Sequence, residues 1–151
     1  MFGIPRAPLF LGLSGLLPFA FGALITTFPE ADPAKAGTPA LVSQDGAKLL
    51  MLYGTIILSF MSGVLWGFAT KAHEGKATHF YALSVLPALW TLFMRGSTYA
   101  DGLTFLIVGF CGLLLLDYVF HREGLTPPWW MRLRILLTSI VVICLSIGVF
   151  A

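Results

Sequence analysis

Residues 49–70 read LLMLYGTIILSFMSGVLWGFAT, a run from Leu49 to Thr70 without one charged side chain. At 1.5 Å rise per residue a helix of this length extends about 33 Å, enough to cross the hydrocarbon core of a bilayer. Thr55, Ser59, Gly63 and Gly67 recur in it at four-residue spacing. On a helix that spacing makes a thin-sided packing stripe, against which another helix can lie closely, in the same chain or in another.

The rest of the chain has the same character. Its 151 residues are 58% hydrophobic and 11% charged, and the mean hydropathy is +0.90. Soluble domains carry about a quarter charged residues, so the lipid bilayer is the expected surrounding. The net charge of +2 is small and scattered, without basic–aromatic interleaving, which excludes a nucleic-acid surface. Cys111 and Cys144 lie inside apolar runs without CxxC spacing and are expected to be buried free thiols.

Apolar runs near 8–28, 79–94, 103–120 and 135–151 join the one at 49–70. Together they predict an all-α polytopic membrane bundle, a single domain over 1–151 with five transmembrane helices. The first run, with Ala34-Lys35-Ala36 after it, imitates an export signal. It is long for one, and the EADP segment separates it from that cleavage site, so a retained span is expected. Pro18 and Pro87 fall inside the first and third runs and predict kinks, because proline removes a ladder donor. Pro29–Gly46 is expected to be a solvated loop. The segment HREGLTPPWWMRLR is expected at the interface, with Trp129 and Trp130 among headgroups and Arg132 and Arg134 facing anionic lipid or water.

Five crossings place the termini on opposite sides. Arg6, Lys71, Lys76, Arg122, Arg132 and Arg134 then fall with the amino terminus, against Lys35, Lys48 and Arg95 opposite. The excess of basic residues predicts a cytoplasmic amino terminus and an external carboxyl terminus.

Few residues suggest chemistry. Asp117 is the carboxylate set inside an apolar run, with His121 one turn on and Arg132 or Arg134 available as counter-ion. Anchoring of the helix end is the expected role, with proton relay the alternative. His73, His79 and His121 fall at one boundary, and His79 with His121 would suit a haem or quinone only if they faced each other. Nucleophile triads, P-loops, dinucleotide fingerprints and HExxH are absent from the sequence, so neither enzymatic activity nor a resident cofactor or metal is expected.

The segments LGLSGLLPF, YGTIILSFMSGVLWGF, SVLPALW, LDYVF and PPWWMRLRILLT follow one another in this order. In this the chain resembles the domain-of-unknown-function 3429 family of transmembrane protein 69-like membrane proteins, over nearly its whole length. The resemblance implies a multi-pass protein of an energy-transducing membrane, the bacterial inner membrane or the mitochondrial inner membrane, and no transferable activity. The leading functional expectation is a non-enzymatic accessory or assembly factor, with other membrane-protein subunits as partners. A small proton-coupled carrier using Asp117 is the alternative, and a haem- or quinone-binding redox protein using His79 and His121 the weaker one.

Overall fold

The computed structural model describes residues 3–30, 41–93 and 96–151. The residues are helical almost throughout. The helices are α1 (Arg6–Ser14), α2 (Leu17–Thr26), α3 (Ser43–Ala69), α4 (Glu74–Leu92), α5 (Tyr99–Arg122) and α6 (Trp130–Phe150). Arg95, Lys35 and most of the expected Pro29–Gly46 loop lie outside the described residues.

Among the described residues four segments are long and apolar enough to cross a membrane: Arg6–Thr26, Ser43–Ala69, Tyr99–Arg122 and Trp130–Phe150. Expected as a fifth span, α4 has the length, but its first turns, EGKATH, are polar. The first span, formed by α1 and α2, and helices α3 to α6 alternate in direction. At one end Lys76 reaches Glu123 and Phe68 meets Trp130. At the other, Gly46 lies against Thr26, and Gly102 against Met51.

The core sits around α3, which touches α2, α4, α5 and α6. Leu50, Leu58 and Leu65 of α3 are fully enclosed, with Leu103, Leu106, Phe110 and Leu113 of α5 against them. Phe10, Leu52, Phe60, Leu115 and Ile143 are exposed, as side chains facing lipid tails would be. Cys144 is buried, but Cys111 is exposed, contrary to expectation, because it lies on the outer face of α5.

Several helices begin earlier than hydropathy suggests, because polar residues serve as caps. Asp45 accepts a hydrogen bond from the Val42 amide at 3.1 Å, so α3 starts at Ser43 inside the expected loop. Thr98 and Asp101 exchange reciprocal bonds of 3.2 Å at the start of α5. At its end Gly124 takes φ +73°. The Leu125 amide then reaches Phe120 O and the Gly124 amide reaches His121 O, a Schellman turn that aims the chain back into α6.

Both prolines interrupt a ladder, each with its own compensation. The first span breaks at Gly15–Leu16, and Pro18 sits within the first turn of α2, where a missing donor costs little. The Gly15 carbonyl accepts from the Tyr53 hydroxyl at 3.0 Å. In α4, Pro87 lies mid-helix, and the following Ala88 amide donates to Ser62 Oγ of α3 at 2.8 Å. Both proline sites are thereby tied to α3.

At the loop end, Lys76 Nζ donates to Glu123 Oε2 at 2.9 Å. That hydrogen bond, helped by the ammonium charge, holds the Glu123 carboxyl below the usual carboxylate range. The depressed value means that this tie is present at neutral pH and is lost as pH falls through it. Lys76→Ala should return the Glu123 pKa to the ordinary range, read by NMR titration of the carboxyl carbon in micelles. The melting temperature should hardly move, because the pair is exposed.

Candidate functional site

Asp117 lies on the inner face of α5 and is completely buried. Both of its oxygens are engaged from α6. Trp130 Nε1 donates to Oδ1 at 2.9 Å, and Arg134 Nε donates to Oδ2 at 2.7 Å. Trp130 and Arg134 are one helical turn apart, so one face of α6 delivers both donors. Trp130 is the first residue of α6 and is steadied edge-on against Phe68 of α3, ring centroids 4.9 Å apart.

This geometry corrects the expected interfacial segment. WMRLR forms the opening turns of α6 itself, and Arg134 is buried rather than facing lipid or water. Trp130 turns toward Asp117 instead of the headgroups. Of the two candidate counter-ions the structure brings Arg134 to Asp117, while Arg132 is exposed with its guanidinium near Gly3. His121 is not part of the cluster: its Nδ1 lies 2.7 Å from Thr126 Oγ1, in the turn after α5. His79 is exposed, so the two histidines do not enclose a common cavity. Among the described residues no three His, Cys, Asp or Glu side chains converge as a metal site would require.

Asp117 and Arg134 compensate each other's charge where water is scarce. A buried ion pair gives little net stability over an apolar pair, but breaking it leaves one charge stranded. As arranged, the pair is a clamp between α5 and α6, with each carboxylate oxygen accepting one bond from α6.

The clamp borders a cavity of 330 Å³ between the α1–α2 break and helices α3, α5 and α6. Gly12 and Gly15 line it at the break, Phe19, Phe60 and Phe110 form apolar walls, and Arg134 and Thr138 supply its polar side. Arg134 Nη2 and Thr138 Oγ1 are enclosed by protein and have no hydrogen-bond partner among the described residues. Thr138 was not singled out in the sequence. Its position four residues after Arg134 is the signal that could have found it.

The expected packing stripe is covered within this chain over only part of its length. Thr55 and Ser59 are half-buried, and Thr55 Oγ1 bonds back to Met51 O at 2.7 Å. Gly63 and Gly67 are exposed, and a Cβ on either would meet nothing within 4 Å. Within the described chain, the close crossing of the first span on α3 uses Gly22 and Gly46 instead. There a Cβ on Gly46 would stand 2.5 Å from the Thr26 amide nitrogen. The first span thus does not lie on the stripe, since Gly46 and Gly54 carry the face turned inward.

No solved structure matches the chain. Transmembrane protein 69 of Xenopus tropicalis is 29% identical to it, the match covering 93% of this chain and 53% of that protein. Transmembrane protein 69 of Mus musculus is 27% identical, over 92% of this chain and 54% of that protein. The chain thus spans about half the length of these relatives. The family model described as "Protein of unknown function (DUF3429)" matches residues 4–150. This multi-pass membrane protein therefore belongs to the DUF3429 family.

Proposed function

We propose that the protein is a non-enzymatic accessory or assembly factor, and that the outer face of α3 receives a transmembrane helix of a larger membrane complex. The observation that carries this reading is the pair Gly63 and Gly67, four residues apart, exposed and open to approach. Against lipid alone two glycines gain no packing, and each lowers helix propensity by about 1 kcal/mol relative to alanine. Against a helix they permit close backbone contact. Exposed Ile56 and Phe60 continue the same side of α3 and offer apolar surface beside the depression.

In this reading α4 is a fifth, tilted crossing, its short apolar length accommodated by its neighbours. The amino terminus is cytoplasmic. Arg134, being paired inside, drops out of the charge bias, and Arg6, Lys71, Lys76, Arg122 and Arg132 carry it. The membrane is the bacterial inner membrane, or the mitochondrial one in a eukaryotic cell. The carrier alternative draws less support, because Asp117 is buried and held by Trp130 and Arg134.

Gly63→Leu combined with Gly67→Leu should insert and accumulate normally, because each added side chain leaves from an exposed position with nothing within 4 Å of its Cβ. On native electrophoresis in mild detergent the variant should lose the larger assembly and run as free protein. Unchanged migration of the assembly in the double variant would contradict the proposal.

A further inference from the structure

A cavity of 160 Å³ lies where the turn between α3 and α4 meets the turn after α5. Lys71, His73, Lys76 and Glu123 line it, with buried Phe80 and Leu125 behind them. Its donors are open to a ligand. Lys76, its side chain 65% exposed, gives one ammonium hydrogen to Glu123 at 2.9 Å and keeps two. Lys71 is exposed and makes no ion pair among the described residues; its Nζ stands 5.7 Å from the centre of the Phe68 ring. Arg122 adjoins Glu123, so three fixed cations gather here against two acids, Glu123 and the exposed Glu74 of the first turn of α4. Their mutual repulsion works against this arrangement unless an anion is held among them.

From this we infer that the cavity seats the phosphate group of an acidic phospholipid. Depth supports a lipid as the source. Half-exposed Trp66 meets Tyr81, ring centroids 4.7 Å apart, and Phe68 meets Trp130 at 4.9 Å. Tryptophan and tyrosine of this kind mark the headgroup level, and Lys71 follows just beyond the end of α3. Size points the same way, because 160 Å³ is too small for a whole drug-sized ligand yet admits a headgroup. Lysine binds phosphate as a point charge, and the start of α4 adds the positive end of a helix dipole. A zwitterionic head brings its own cation and would not offset the lysines. The inference does not depend on what binds α3.

The test is to titrate the purified full chain in mild detergent with phosphatidylglycerol and with phosphatidylcholine, followed by native mass spectrometry. Inorganic phosphate serves as competitor. Saturable binding of phosphatidylglycerol is expected, tighter than that of phosphatidylcholine and undisturbed by inorganic phosphate. Lys71→Gln should weaken it about fivefold, the contribution of one basic residue beside an anionic headgroup. Lys71→Arg should retain it, and Lys48→Gln, at the far end of α3, should leave it unchanged. No saturable binding, equal affinity for phosphatidylcholine, or undiminished affinity in Lys71→Gln would overturn the proposal. Displacement by inorganic phosphate would assign the cavity to the free anion and overturn the lipid as its source.

Discussion

Asp117→Asn is expected to destabilise the folded protein by about 3 kcal/mol, the size typical of a buried ion pair that loses one partner. The substitution keeps nearly the same shape but removes the charge that offsets Arg134, whose guanidinium is buried and bonded to Oδ2 at 2.7 Å. Denaturant titration in detergent and the steady-state level of membrane-inserted protein both read the loss. The paired change Asp117→Leu with Arg134→Met should recover much of it, because no charge is then stranded. Trp130→Phe removes only the indole donor to Oδ1 and should cost less, about 1 kcal/mol. Wild-type stability in Asp117→Asn would show that the pair is not a clamp, and would reopen the carrier alternative.

Gly46→Ala is the second large effect. A single added Cβ would lie 2.5 Å from the Thr26 nitrogen, 2.6 Å from the Gly22 oxygen and 2.9 Å from the Ile25 carbonyl carbon. All three are backbone atoms, so no side chain can rotate away, and α2 must separate from α3. Overpacking of this kind costs about 3 kcal/mol at the upper end of its usual range. In lipid, where no hydrophobic force pulls helices together, the lost backbone contact is not replaced. The same denaturant titration checks it, with Gly63→Ala as the control, expected to gain rather than lose stability because its Cβ meets nothing within 4 Å.

The two glycine positions show where the sequence speaks and where it stops. That residues 49–70 form a membrane helix follows from their lack of charge and their length. Which side of that helix faces protein does not follow, because a lipid-facing side is as apolar as a packed one. The spacing of Thr55, Ser59, Gly63 and Gly67 therefore marked a thin face, while Gly46, in a stretch expected to be a loop, carries the close crossing. The early starts of α3 and α5 escaped hydropathy for a related reason. Asp45 and Asp101 argue for water in a window average, yet as N-terminal caps they extend the helices.

At the polar cluster, chemistry was more legible than orientation. A carboxylate in an apolar run calls for a counter-ion, which narrowed the choice to Arg132 or Arg134. Their two-residue separation puts them on different sides of α6, and only the packing against α5 selects Arg134. Thr138 had only its spacing from Arg134 to mark it, since a lone threonine in a membrane helix usually bonds to its own backbone, as Thr55 does. The lost donors at Pro18 and Pro87 follow from proline itself, but Tyr53 and Ser62, which bond near them, come from a distant part of the chain.

The central claim is that the outer face of α3 holds a helix of another protein. A photo-crosslinking residue placed at Gly63 or Gly67 in intact membranes tests it most directly, with Leu115 on the exposed face of α5 as the control. The account predicts a protein adduct of one defined mass from positions 63 and 67, and lipid adducts alone from position 115. Lipid adducts alone from all three positions would contradict it.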